Sequence, residues 1–242
     1  MLSVVLPAHN EAENLAPMLR DGLAALGPLA DPLEFVVVDD GSTDRSWALL
    51  QDLAGDDARI RPLRHHRNRG YGAALATGLA AARHDLVLLC DADRQFDFAD
   101  APALLDLASE VDVVAGYRAP RRDPSGRRFI GQTWSGVVGW MYGLGVRDVN
   151  CALKLFHRRA LDSVEIRSHG ALVSAEILAQ VRGAGHRIGE VPVRHYPRTA
   201  GEQSGARPDV VLKALMELAV NHRRLRAFGR LRPETGSSSP RP

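Results

Sequence analysis

The chain has 242 residues, 45% of them hydrophobic and 25% charged. Those proportions belong to a globular protein and exclude whole-chain disorder or a fibrous repeat, and the length allows one large domain or two small ones. Lys and Arg number 31 against 29 Asp and Glu, a net charge of +2, which is no basic field of the kind a dedicated nucleic-acid binder carries. Cys90 and Cys151 are the only cysteines, too few for a disulfide scaffold and without a CxxC pair for structural zinc. Met1 leads straight into an apolar run with no basic segment before it, so the expectation is no secretory leader and a reducing, cytoplasmic setting.

Leu2 to Leu6 is β-rich and stops at Pro7. From Glu11 to Leu26 apolar residues fall at helical spacing (Leu15, Met18, Leu19, Leu23, Leu26). Leu33 to Val38 is a continuous apolar run, as in a parallel strand covered on both faces. Ser42 to Leu53 reads as a helix capped by Ser42 or Thr43, Arg59 to Leu63 as a weak strand, and Gly72 to Arg83 as an Ala-rich helix. Leu86 to Cys90 is a buried strand, Ala99 to Ser109 a helix and Val111 to Ala115 a strand. This alternation predicts right-handed βαβ units and a mostly parallel central sheet flanked by helices, with ligands at the carboxyl ends of the strands. The polar clusters at His9–Glu11, Asp39–Asp40 and Asp91–Asp93 each follow directly on an apolar run.

The second half is less regular. Arg118 to Arg128 reads as a basic loop broken by Pro120, Pro124 and Gly126. Phe129 to Val146 is uncharged but holds five glycines, so it lacks the apolarity of a membrane span. Cys151 to Phe156 is expected to be a strand, Leu172 to Arg182 a helix, and His186 to His195 extended. Asp209 to Phe228 is an amphipathic helix with a basic end, and the tail from Arg232 has no core-forming residues.

Asp91 and Asp93 stand two residues apart just beyond a buried strand, so they can share one hard cation or divide between a metal and a sugar hydroxyl. Gln95 adds an oxygen two residues on. An isolated DxD more often starts a helix, and it is the convergence of clusters on one sheet edge that favours a site. Asp39 is placed to accept hydrogen bonds from a base or ribose, with Asp40 partly structural and Gly41 allowing the turn. Asn10 and Glu11 stand at a helix amino terminus, where capping alone would account for them. Gly70 and Gly72 lack the third glycine of a dinucleotide fingerprint, and are read as letting the backbone pass close to a ligand.

Taken together, PAHNEAENL, VVVDDGSTD, NRGYGAAL and DADRQF, in this order, resemble the family-2 inverting glycosyltransferases of the GT-A fold. VRDVNCALKLF, GEVPVRHYPR and GEQSGARP resemble its polyprenyl-phosphate branch, typified by dolichol-phosphate mannosyltransferase. The resemblance covers residues 2–208. It implies a single domain over 1–230, with a nucleotide-sugar half (1–116), an acceptor half (117–208), an amphipathic helix (209–230) and a disordered tail (231–242).

The resemblance further implies that Pro7, Ala8, Asn10, Glu11 and Asp39 hold the donor nucleoside, and that Asp91, Asp93 and Gln95 bind Mg2+ or Mn2+ and the diphosphate. Arg118, Arg127, Arg128 and Lys154 would face the acceptor phosphate, with Asp148 and Asn150 beside them, and Arg198 and Ser204 would close over the donor. The implied activity is transfer of a hexose, from a donor of the GDP-mannose or UDP-glucose type, to a polyprenyl phosphate.

A phosphate monoester has its second pKa near about 6, so such an acceptor needs cations rather than a general base. The arginines at 118, 121, 122, 127 and 128 suit it. Two other readings stand: a soluble acceptor with Glu176 as base (a glutamate that reads equally as a helix residue facing solvent), and a non-catalytic nucleotide-sugar binder. Trp134, Trp140 and Tyr142 favour a lipid boundary for 129–146, implying peripheral attachment at the cytoplasmic membrane face. For the last helix, which offers Val210, Val211, Leu215, Leu218 and Leu225, lipid docking and packing against the sheet or a partner subunit stand equal. A homo-oligomer is compatible with the sequence.

Overall fold

A computed structural model describes residues 1–120, 125–170, 172–198 and 208–229. Seven strands form one sheet in the order β3-β2-β1-β4-β6-β5-β7. The strands are β1 (Leu2–Ala8), β2 (Leu33–Asp39), β3 (Ile60–Arg64), β4 (Leu86–Leu89), β5 (Val113–Arg118), β6 (Lys154–His157) and β7 (Ile188–Val193). The helices are α1 (Ala12–Leu26), α2 (Ser46–Asp56), α3 (Tyr71–Ala81), α4 (Ala101–Leu107), α5 (Ser125–Tyr142), α6 (Arg158–Leu161), α7 (Val173–Gly183) and α8 (Pro208–Gly229).

Strands β1 to β4 are parallel, because each is followed by a helix that returns the chain across a face of the sheet. β1 and β2 are buried along their whole length, which is why both read as unbroken apolar runs. Two apolar layers result. One holds Leu15, Leu19, Phe35 and Leu104 with α1 and α4; the other holds Leu75, Val87, Phe156 and Leu178 with α3, α5, α7 and α8. β6 runs antiparallel to both β4 and β5, so the sheet is mixed on that side.

Several elements differ from their expected form. α2 starts at Ser46 rather than Ser42, and neither Ser42 nor Thr43 caps it: Ser42 Oγ instead accepts from Asn10 N at 2.9 Å. The strand expected from Cys151 begins at Lys154, because Cys151 N turns back to Asp148 O. The expected basic loop ends at Ser125, where α5 starts, so Arg127 and Arg128 lie in a helical first turn. α5 extends through most of the uncharged segment, placing Trp134, Val138, Met141 and Tyr142 against the core. On α8, Leu225 is buried and Leu218 packs on the same layer, so these two face inward. The tail 231–242 lies outside the described residues.

Candidate active site

The parallel register aligns the carboxyl ends of the strands. Ala8 pairs with Asp39, and Asp39 with Arg64. Cys90 N donates to Val5 O, so Asp91 to Gln95 emerge beside the β1 exit. The first two loops are knitted by short polar side chains. Asn10, at a positive φ of 56°, accepts through Oδ1 from Thr43 N at 2.9 Å. Ser46 Oγ accepts from Glu11 N at 2.9 Å, and Asp44 accepts from Ala12 N at 3.2 Å. The amino end of α1 is therefore capped from the neighbouring loop, and neither Asn10 nor Glu11 caps it with a side chain.

The adjacent aspartates differ in their engagement. Asp40 accepts from Arg69 N at 3.0 Å and Gly70 N at 2.8 Å, with His65 Nδ1 at 2.6 Å. Asp39 accepts from Ser42 N at 3.1 Å through Oδ1. Its buried Oδ2 has no hydrogen-bond partner among the described residues, although Arg64 Nε lies 3.2 Å away as an ion-pair contact. Such an atom is costly unless something completes it, so this oxygen suits a ligand. Pro7 and Ala8 supply the buried end of β1 next to it.

Asp91 and Asp93 stand together at the β4 exit. Burial and then the Asp91 charge push the Asp93 carboxyl up to about 7. Burial raises Asp91 as well, opposed by the Tyr71 hydroxyl and the charges of Lys154 and Arg118. Two desolvated neighbouring carboxylates are a poor arrangement alone and a good one around a cation, which is what a divalent metal would supply. Among the described residues no cluster of three His, Cys, Asp or Glu side chains forms a complete cage, so further ligands would come from a bound diphosphate. Gln95 is turned to the β7 exit: its Nε2 donates to Tyr196 O at 3.1 Å. Arg198 follows, with its guanidinium hydrogen-bonded to Glu11 Oε1 and 3.6 Å from Asp93 Oδ2.

A second charged group lies across the sheet. Arg118, at the end of β5, donates Nε to Asp148 Oδ2 at 2.6 Å and an Nη to Asp148 Oδ1 at 2.9 Å. Lys154 is buried, and its ammonium donates to Val149 O at 3.0 Å and to Cys151 O. Burial lowers its pKa, and Asp148 and Asp91 oppose that shift. Lys154 thus serves the carbonyls and acidic groups beneath the site, not an open surface where an acceptor phosphate would dock. Asn150 Oδ1 is buried without a hydrogen-bond partner among the described residues.

Two expectations are corrected. Glu176 neither faces solvent nor an open site: it is fully buried and accepts from Arg167 N at 3.1 Å, Ser168 N at 2.8 Å and the Arg224 guanidinium. Gly70 and Gly72 make room for protein rather than ligand. A Cβ on Gly72 would stand 1.9 Å from Ser168 O, so the 168–169 segment occupies that space. Sequence reasoning missed Tyr71, whose hydroxyl donates to Asp91 Oδ1 at 2.8 Å. Its position inside the NRGYG motif was the available signal. Ser204, Arg121 and Arg122 lie outside the described residues, and α5 carries the backbone of Arg127 and Arg128.

A family model described as glycosyl transferase family 2 matches residues 3–164. The chain is 34% identical over 202 residues to an undecaprenyl-phosphate 4-deoxy-4-formamido-L-arabinose transferase of Pectobacterium atrosepticum, covering 83% of this chain and 61% of that protein. A protein of the same name from Pseudomonas fluorescens is 34% identical over 204 residues, covering 83% and 59%. The chain spans less than two thirds of the length of these relatives. Among solved structures, glucosyl-3-phosphoglycerate synthase of Mycobacterium tuberculosis with phosphoglyceric acid superposes with a TM-score of 0.68 at 20% identity, covering 97% of this chain and 81% of that one. The same enzyme with Mn2+, UDP and glucosyl-3-phosphoglycerate gives a TM-score of 0.66 at 21% identity, covering 94% and 80%.

Proposed function

The chain belongs to glycosyl transferase family 2 and has the GT-A fold, and from that premise we propose that it transfers a hexose from a nucleotide-diphospho-sugar to a polyprenyl phosphate, with inversion at the anomeric carbon. The observation that carries this reading is the Asp91–Asp93 pair, desolvated at the β4 exit within reach of the charges of Lys154 and Arg118. The acceptor class is supported by the printed names of the relatives from Pectobacterium and Pseudomonas.

In this reading Asp39 Oδ2 takes the nucleoside, at the buried end of β1 formed by Pro7 and Ala8. Asp91 and Asp93 hold Mg2+ or Mn2+, as the Mn2+ and UDP of the mycobacterial structure favour. Such an ion, when bound, would offset negative charge on the diphosphate. Gln95 fixes the β7 exit through Tyr196. Arg198 leaves Glu11 and Asp93 for the donor phosphates when these arrive. Arg118, kept in plane by Asp148, grips two acceptor phosphate oxygens, aided by Arg127 and Arg128. The acceptor dianion attacks without a general base, which agrees with Glu176 being fully committed to its hydrogen bonds.

No helix among the described residues is long and apolar enough to cross a membrane. Yet α5 exposes Val137 and Trp140, the latter at 86%, and α8 exposes Leu215, Met216 and Val220. Lys213, Arg223 and Arg226 are exposed on α8 as well. Apolar and cationic side chains mixed in this way suit the interface of an anionic membrane, where each cation adds about 1 kcal/mol. This surface is proposed to hold the enzyme peripherally at the cytoplasmic face, next to its lipid acceptor.

The direct test is sugar transfer with and without chelator, in the native protein and in Asp91→Ala. Turnover should fall by orders of magnitude in both cases. A variant that keeps near-normal turnover removes Asp91 from the mechanism, and donor binding without any turnover leaves a nucleotide-sugar binder.

A further inference from the structure

Tyr71 opens α3, and its hydroxyl donates to Asp91 Oδ1 at 2.8 Å. The backbone around it is held from two sides. On one side Asp40 takes the N–H groups of Arg69 and Gly70, at 3.0 and 2.8 Å. Asp40 is itself fixed by His65, whose Nε2 lies 2.9 Å from Thr77 Oγ1 on α3. On the other side Gly72 N donates to His169 O at 3.2 Å, and Gly70 approaches the same carbonyl. A side chain rooted in a backbone clamped this way delivers its hydroxyl to one place.

Asp91 has need of such a group. It stands on a loop after β4, beside a second desolvated carboxylate that repels it. A short acid side chain in that setting rotates to separate the charges, and a donor on one oxygen opposes the rotation while stabilising the ionised form. Tyr71 is 36% exposed as a residue and belongs to neither core cluster. Its one polar atom is spent on Asp91.

We propose that Tyr71 is a positioning residue that holds one oxygen of Asp91 and so presets the carboxylate for a divalent cation. This rests on the metal-dependent reading above. Groups that orient a metal ligand in this manner are worth about 10-fold or more in metal affinity. They are also distinguishable from packing residues, because their loss leaves stability intact.

The test is Mn2+ binding by the full chain, followed by electron paramagnetic resonance of free Mn2+, alone and with saturating UDP or GDP. Tyr71→Phe should bind Mn2+ about 10-fold more weakly, with a thermal midpoint within about 2 °C of the native protein. Tyr71→Ala, which also removes the ring, should weaken Mn2+ no further than Tyr71→Phe. Equal affinity in the native protein and Tyr71→Phe overturns the proposal. So does an affinity loss matched by a large fall in thermal midpoint, or a much larger loss in Tyr71→Ala, since either assigns the effect to packing. A native protein that binds no Mn2+ under any of these conditions overturns the metal reading itself, and the proposal with it.

Discussion

Arg118 meets Asp148 through two nearly parallel hydrogen bonds, at 2.6 and 2.9 Å, with both side chains almost buried. The geometry holds the guanidinium in one plane at the end of β5. Asp148→Ala should cost about 3 kcal/mol of stability, because it takes both carboxylate acceptors from a nearly buried cation. Arg118→Lys keeps the charge and loses the fork. If Arg118 grips the acceptor phosphate, the KM for polyprenyl phosphate rises about 10-fold in Arg118→Lys while the donor KM is unchanged. Equal changes in both constants would move Arg118 away from the acceptor.

Asp93 predicts an unusual pH dependence in the metal-free protein. Its carboxyl stands at about 7 against an ordinary 3.8. Between those values the folded protein keeps a proton that the unfolded chain has released. The stability this group contributes is therefore complete below about pH 4 and disappears as the pH rises through about 7. Asp93→Asn mimics the neutral form. In EDTA its thermal midpoint should gain on the native protein by about 5 °C between pH 5 and pH 8. A constant difference over that range contradicts the shift.

Glu176 separates two mechanisms. Its carboxylate joins α7 to the 167–168 segment and to Arg224 of α8. Glu176→Gln weakens the charge-assisted bonds and should cost about 2 kcal/mol. Turnover per folded molecule should be unchanged, with no new pH dependence. A loss of 100-fold or so at full folding, on the order expected of a missing general base, would restore the base mechanism.

The exposed apolar side chains of α5 and α8 make membrane docking measurable. Trp140→Ser with Val220→Ser should lower partition onto vesicles containing phosphatidylglycerol by about 100-fold or more, since each side chain loses roughly 1.5–3 kcal/mol of burial and every 1.4 kcal/mol is about tenfold. Arg223→Ala should instead reduce the dependence on anionic lipid and on salt. Vesicle binding that is absent in the native protein, or unaffected by these substitutions, rejects the surface.

The first half was largely legible, because β1 and β2 are buried on both faces and each polar cluster follows a strand. Asp39, Asp91 and Asp93 could be placed at one sheet edge by period and topology alone. The second half resisted for identifiable reasons. α5 carries Gly136 and Gly139, where a Cβ would meet nothing within 4 Å, so these glycines mask a helix that packing sustains. The helical spacing of Trp134, Val138, Met141 and Tyr142 was its only local sign. The reversal of β6 is a choice of neighbour, not of local sequence. Glu176 looked available because a helical glutamate carries no mark of the backbone groups that surround it. Arg198 meets Glu11 from 187 residues away, and Tyr71 meets Asp91 across two elements, so neither contact has a sequence period to reveal it.

The most direct measurement is transfer of radiolabelled sugar from a panel of GDP- and UDP-sugars into organic-extractable polyprenyl phosphate, with Mn2+ or Mg2+ and with EDTA. Label should enter the lipid phase from one donor class, disappear with EDTA, and disappear in Asp91→Ala. Donor hydrolysis with no label in lipid, or transfer only to a soluble acceptor, would contradict a polyprenyl-phosphate glycosyltransferase.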